Sequence, residues 1–429
     1  MSEKKMFVLL SILLLNSIIV NGQEVESKKY LSEKDSASLD ININLPKSSL
    51  FKRPVFISTS YIGGSVLKSS ESLRNNTNCA LPYAQYANIK LGFSSEGNRW
   101  KDILYGMPYY GVGMGVYDFS YNNLGNPISV YLVQGATLKT FTSNLRLKYE
   151  WNFGCSFNWK IYDPITNPTN ENIGAKANIY FAANVFFTYP FSKYIDVEVG
   201  AVYNHVSNGA TKMPNSGINT IGGMVGFKYH FNPERIMNEW NPDVRAPEYE
   251  NSRLLSDISI HPTRRQRKLK TEKTGLSTEY IDHDFFVFNA SYALLHMPTY
   301  KHRYGVGLDF TYDESSRLSA QKIGEEPNGR EIAKITYGNV KNRFSVGICL
   351  RGDIVMPKYT VFGKVGYNVL HGDDNDPRFY QAFGVKAPIW NNMYGSFAIQ
   401  AKHFSKAEYF FLGIGCYIDH SKFSYRKKS

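Results

Sequence analysis

The chain has 429 residues, with 49 Lys and Arg against 37 Asp and Glu, a formal net charge of +12. Hydrophobic residues at 43% and aromatics at 15% exclude a disordered chain, and four Cys in this length exclude a disulfide-built scaffold. Tyr (31) and Phe (27) far outnumber Trp (5), a β-rich bias, and the basic balance suggests an acidic partner such as phosphate on lipid or nucleic acid.

Lys4 and Lys5 precede an apolar run from Phe7 to Val20, and small or polar residues follow to Gly22. Residues 1–22 read as a secretory signal peptide, too short for a comfortable membrane helix. No later run of about 20 apolar residues occurs, so the mature chain is either secreted and soluble or a membrane β-barrel. Residues 23–52 are polar and without sustained period, as in a flexible N-terminal arm.

From Pro54 onward, alternating segments are cut by Gly, Asn, Pro and Asp turns. The spacing predicts strands over 54–67, 84–95, 109–121, 127–139, 144–158, 174–189, 193–208 and 217–232. A second group is predicted over 283–297, 302–313, 342–354, 357–371, 378–389, 393–404 and 408–418. Bacterial barrels usually have an even strand number, so this odd set implies one strand split or missed and a total of about 14–16. Residues 53–232 form the first β-region, and 283–429 is expected to complete the same barrel, although a domain boundary between the groups fits as well. The charged loop 233–282 between them holds Arg264, Arg265, Arg267, Lys268 and Lys270. That basic run suits a solvated loop, or a lipid-phosphate or nucleic-acid contact. His371 to Asp376 is acidic but lacks the spacing and closing Glu of a calcium loop, and reads as a solvated turn.

Side chains alternate across a strand, so odd and even positions separate its faces. In 193–208, Ile195, Val197, Val199, Ala201, Tyr203, His205 and Ser207 share one face, while Asp196, Glu198, Asn204 and Asn208 lie on the other. A soluble sandwich shows the same alternation with its apolar face turned inward. Strand lengths, and the strand-end aromatics Tyr189 and Tyr229, favour an all-β, antiparallel transmembrane outer-membrane β-barrel with lipid outside.

The hairpin Asn204 to Asn219 carries the chemistry. His205 and Ser207 are two apart and finish an otherwise apolar face, at the rim where a lipid ester would reach them. If the turn centres near Lys212, Asn219 stands across the hairpin from His205. A nucleophile, a base and a third orienting group then lie within reach of one another. If the preceding turn centres near Ser192, Ala177 and Ala175 lie beside His205 and Ser207, leaving either a groove for an acyl chain or ordinary lipid-facing surface.

His205-x-Ser207-Asn208 followed by Pro214-Asn215-x-Gly217 resembles the signature of the lipid A 3-O-deacylase family, outer-membrane acyloxyacyl hydrolases. Tyr109-Tyr110-Gly111-Val112-Gly113, Leu124-Gly125-Asn126-Pro127 and Tyr162-Asp163-Pro164 with Asn167-Pro168 are similar to a longer branch of that family found in Bacteroidetes. The resemblance covers roughly 50–232 well and the rest loosely. It implies a barrel of the bacterial cell outer membrane, with the catalytic pair on its outer surface. On that basis Ser207 is the nucleophile and His205 the base, and Asn208 or Asn215 helps form the oxyanion hole.

The implied partners are lipid A, or lipopolysaccharide, and the membrane, with no nucleic acid, cofactor or metal; the oligomeric state is left open. Basic residues near the rim would hold lipid A phosphates. One departure matters: the family places a Glu where this chain has Asn219, and Glu171 or Asp163 would then have to substitute. The rival reading is a catalytically weak or inactive barrel serving as pore, adhesin or scaffold.

Overall fold

The computed structural model describes residues 54–67, 83–97, 99–119, 122–233, 246–249, 253–268, 283–327, 331–373, 376–403 and 406–420. The expected signal peptide and N-terminal arm lie outside them. The chain divides into two compact units, one running to Ser207 and resuming over Ser216–Pro247, the other made of Asn208–Asn215 and Glu248 onward.

The first unit is a closed up-and-down barrel of eight strands: β1 (Val55–Leu67), β2 (Tyr83–Ser94), β3 (Tyr109–Phe119), β4 (Ile128–Thr142), β5 (Leu145–Phe157), β6 (Asn178–Pro190), β7 (Ile195–Ser207) and β8 (Ile218–His230). Each pairs antiparallel with the next, and β8 returns to β1 from Phe56↔His230 to Leu67↔Asn219. A helix, α1 (Trp100–Leu104), joins β2 to β3. The strands are 11 to 15 residues long, enough to cross a bilayer core at a tilt.

The faces decide what alternation alone leaves open. Outward-facing Val112, Leu132, Val199, Val225 and Phe227 are exposed, Leu132 at 65%. Inward-facing Lys90, Glu150, Asn152, Asn184, Glu198 and Lys228 are buried. A soluble sandwich would bury the first set and expose the second; apolar outside and polar inside is the arrangement of a barrel in lipid.

The lumen is filled. Lys90 meets Glu150 at 2.5 Å and Lys228 meets Glu198 at 2.6 Å. Glu150 also accepts from Tyr109 Oη and Asn184 Nδ2, both at 2.9 Å. Buried charge is tolerable only when paired and hydrogen-bonded, and eight strands enclose just enough room for such side chains. Tyr86, Tyr117, Tyr131 and Tyr180 are also buried in the lumen, with Tyr86 stacked on Tyr117 at 4.7 Å between ring centroids.

The second unit is another closed eight-stranded barrel. Its strands are β9 (Arg253–Arg265), β10 (Phe285–Met297), β11 (His302–Asp313), β14 (Phe344–Val355), β15 (Thr360–His371), β16 (Phe379–Trp390), β17 (Met393–Lys402) and β18 (Lys406–Asp419). The hairpin β12 (Ser319–Glu325) and β13 (Glu331–Thr336) stands apart from that sheet. The interior again carries paired charge: Arg351 binds Asp257 at 2.7 Å and Asp353 at 2.9 Å, and Lys364 binds Asp309 at 2.7 Å.

Two expectations are corrected. Residues 283–429 do not complete the barrel of 53–232, because β8 pairs back to β1 and leaves that sheet no edge to extend. The missing sixteenth barrel strand is β9, inside the stretch read as a charged loop. Its inward side chains Asp257, Ser259, His261 and Arg265 are polar, and Pro262 looks like a strand break. The β9–β18 ladder covers Leu255 to Ile260 and stops before Pro262, which has no N–H to donate. The basic run therefore begins on a strand: Arg265 binds Asp313 at 2.8 Å, while Arg267 binds Asp373 at 3.0 Å and also pairs with Asp376. Asp373 and Asp376, beyond His371, are likewise counter-charges: against the opposing effect of burial, Arg267, Lys402 and Arg265 pull the Asp376 carboxyl down to about 2.

Candidate active site

The site is built on the β7–β8 hairpin of the first barrel. His205 pairs with Asn219 across the ladder, as the turn centre near Lys212 requires. Parity places His205 and Ser207 on the outward face with Val199, which is 52% exposed, whereas Asn204 and Val206 point inward. Asn204 anchors the strand from beneath: it accepts from Tyr180 Oη at 2.8 Å, donates to Thr220 Oγ1 at 3.0 Å and also bonds Tyr86.

Three side chains form a continuous hydrogen-bonded row. His205 Nε2 lies 2.8 Å from Ser207 Oγ, and His205 Nδ1 lies 2.7 Å from Asn219 Oδ1. Because a carbonyl oxygen only accepts, Nδ1 carries the ring proton and Nε2 presents its lone pair to the serine hydroxyl. That is the arrangement a general base needs to take a proton from a nucleophile. His205 is half-buried and Ser207 is only 2% exposed.

The strand flanking the pair is β6, and here the reading of small neighbours is corrected. Ile179 faces Ser207 and Phe181 faces His205, because the β6–β7 ladder turns about Lys193, whereas Ala177 opposite His205 would need a turn two residues earlier. Ala175 and Ala177 precede β6. The pair is walled by bulky apolar side chains rather than by a groove of alanines.

On the other side stands Gly217, at φ +69°. A Cβ there would lie 3.0 Å from Val206 O and 3.3 Å from both His205 Cε1 and Ser207 Cβ. Both the left-handed backbone and the closeness of the His–Ser pair require glycine. The loop between β5 and β6 holds this residue in place: Gly217 N donates to Asn172 O at 3.1 Å and Ser216 N to Glu171 O at 3.3 Å. Buried Asn170 organises that loop, donating through Nδ2 to Lys160 O at 2.6 Å and accepting at Oδ1 from Asn172 N and Ile173 N.

The two asparagines expected near an oxyanion differ in what they have to offer. Asn215 Oδ1 accepts the backbone N–H of Asn208 at 3.0 Å. Asn208 Oδ1 accepts from Lys212 N at 3.3 Å, and its Nδ2 is buried without a hydrogen-bond partner among the described residues. Neither suggested carboxylate replaces Asn219 beside the imidazole. Asp163 Oδ1 caps Ile165 N and Thr166 N within its own turn, and Glu171 reaches the hairpin through its backbone carbonyl.

Sequence reasoning assigns no role to Tyr203, whose hydroxyl donates to Asn219 Oδ1 at 2.7 Å. Its position two residues before His205, on the same face, is a signal that parity supplies. The loop residues Asn170 to Asn172 carry no comparable signal, since irregular segments have no period.

Residues 83–228 match the family model "Lipid A 3-O-deacylase (PagL)", and residues 268–420 match "Acyloxyacyl hydrolase, C-terminal domain". None of the curated proteins matches the chain in sequence. Similar solved structures include the outer membrane enzyme PagL, at 14% identity and TM-score 0.29 over 40% of this chain and 97% of that one. They also include the siderophore receptor PirA from Pseudomonas aeruginosa, at 7% identity and TM-score 0.24 over 85% of this chain and 81% of that one. The COG4313 outer membrane channel from Pseudomonas putida F1 shows 8% identity and TM-score 0.21 over 90% of this chain and all of that one. With matched segments in both barrels and lipid-facing strands throughout the first, the chain is an outer-membrane β-barrel protein that belongs to the lipid A 3-O-deacylase (acyloxyacyl hydrolase) family.

Proposed function

We propose that the chain is an esterase that removes an ester-linked acyl chain from lipid A, with Ser207 as nucleophile and His205 as base. The observation that carries this reading is the row Ser207 Oγ, His205 and Asn219 Oδ1 at 2.8 and 2.7 Å on the outward face of β7. A lipid's acyl ester meets a barrel from outside, so a site of this kind belongs on that face.

As Ser207 Oγ attacks the ester carbonyl, its proton passes to His205 Nε2. Asn219 Oδ1 holds the imidazolium through Nδ1–H. The tetrahedral oxyanion takes its hydrogen bond from Asn208 Nδ2, a donor with no other partner in the described residues, while Asn215 fixes the backbone of Asn208. Collapse breaks the bond to the lipid A oxygen, which leaves with the proton from His205. Water, deprotonated by His205, then releases the fatty acid from Ser207. Ile179 and Phe181 offer the departing acyl chain an apolar wall.

In the test, the full chain and its Ser207→Ala variant are expressed in cells and the lipid A masses compared. The wild type is expected to shorten lipid A by one acyl chain and the variant to leave it intact. Equal spectra from the two would overturn the proposal.

A further inference from the structure

We infer that Tyr203 is a positioning residue that sets the proton arrangement of His205, by holding the Asn219 amide in one of its two orientations; this rests on the esterase reading above. An amide has an acceptor end and a donor end of nearly the same shape. With Oδ1 toward the ring, Nδ1 is protonated and Nε2 is free to accept from Ser207. With Nδ2 toward the ring, Nδ1 becomes the acceptor and Nε2 carries the proton. In that state His205 has no lone pair for Ser207, and in a serine-protease triad the wrong tautomer costs about 10⁴ in rate. A carboxylate avoids the problem because both of its oxygens accept. A neutral residue at 219 needs a second group to choose the end, and the structure supplies one.

Tyr203 Oη donates to Asn219 Oδ1 at 2.7 Å, the same oxygen that lies 2.7 Å from His205 Nδ1. Turning the amide over exchanges the hydroxyl's bond to Oδ1 for one in which Nδ2 donates to the phenol oxygen, a poorer acceptor than an amide carbonyl, so the orientation with Oδ1 toward both groups is favoured. Register makes the selection geometric: Tyr203 pairs with Ile221 and His205 with Asn219, so the tyrosine approaches Asn219 diagonally from the same face. All three residues stand on strands of one barrel, where backbone positions are held by the ladder on both sides.

The test uses the full chain in detergent micelles, its fold checked by heat-modifiable migration, in four forms: wild type, Tyr203→Phe, Asn219→Asp and the double variant. Histidine is ¹⁵N-labelled, and the His205 signals are assigned by their loss in His205→Ala. The wild type is expected to show the proton on Nδ1, Tyr203→Phe a substantial share on Nε2, and the double variant a return to Nδ1. Deacylation of lipid A should follow, with kcat down about tenfold in Tyr203→Phe and KM unchanged, the factor carried by one hydrogen bond. Most of that loss should be cancelled in the Asn219→Asp background. An unchanged tautomer in Tyr203→Phe, or an equal loss of rate in both backgrounds, would overturn the inference. Deacylation surviving in Ser207→Ala would instead overturn the esterase reading, and the ring-nitrogen signals would still judge Tyr203.

Discussion

Replacing Asn219 by Asp is the most informative single change at the site. Asp is isosteric with Asn, so the acceptor stays 2.7 Å from His205 Nδ1 and only charge is added. During attack the imidazole becomes a cation. At about 5 Å between charge centres and an effective dielectric of about 20, the new pair is worth about 3 kcal/mol. Exchanging a neutral hydrogen bond for a charge-assisted one adds about 1 kcal/mol, and placing a carboxylate on the lipid face near the interface subtracts up to about 1 kcal/mol. The balance, about 3 kcal/mol, is a rise of about 10² to 10³ in kcat. The ceiling is the factor of about 10⁴ by which the reverse change slows a serine-protease triad. The assay is fatty-acid release from lipid A by the full chain in micelles, with kcat and KM measured separately. Substrate contacts are untouched, so KM should hold. An unaltered or lower kcat in a folded barrel would refute the view that residue 219 supports the charge on His205.

Ser207→Ala and His205→Ala should each lower kcat by about 10³ or more, and the double variant should be no worse than either, since the residues act as one unit. Gly217→Ala should lower kcat by at least about tenfold while the barrel still migrates as folded, because its methyl strains a left-handed backbone and presses on the His–Ser pair. A full rate in this variant would show that the pair tolerates displacement. Lys228→Met leaves Glu198 buried and unpaired in the lumen and should cost about 3–5 kcal/mol in urea unfolding from bilayers. Adding Glu198→Leu should restore most of that stability; if it does not, the ion pair is not what Lys228 contributes.

Much of the site is legible in the amino-acid sequence because a strand has a period of two. Parity alone puts His205, Ser207 and Tyr203 on one face, and the hairpin register sets Asn219 opposite His205. Strand β9 escapes the pattern through the same property that makes it a barrel strand, since its inward residues are charged and bind charges on other strands. Parity shows that such residues face a lumen but not which partner each finds. Closure is hidden for a related reason. Whether β8 pairs with β1 or with a later strand depends on a contact spanning the whole first unit, and no local pattern records it. The neighbours expected beside His205 and Ser207 are displaced because the β6–β7 ladder turns about Lys193, and a cross-strand partner moves twice as far along the chain as the turn centre does.

The outward row depends on the inward one. Between His205 and its neighbours along β7, Asn204 and Val206 point into the barrel, and Asn204 is tied to Tyr180 and Thr220 on the strands to either side. A shift of the outward face would have to break these bonds in a filled lumen, so the His205 to Ser207 distance is set by the scaffold rather than by the lipid. The remaining parts of the site come from irregular backbone: Asn208 beyond the strand end, and Gly217 held by the carbonyl of Asn172. On the proposed mechanism the rigid portion would carry proton transfer, which tolerates little misplacement. The looped portion would carry the proposed oxyanion donor and the fit beside the pair. Substitutions in the β5–β6 loop should accordingly change which esters are accepted more than whether Ser207 can be deprotonated, and Asn170, whose bonds shape that loop, is the position where this division is most exposed to test.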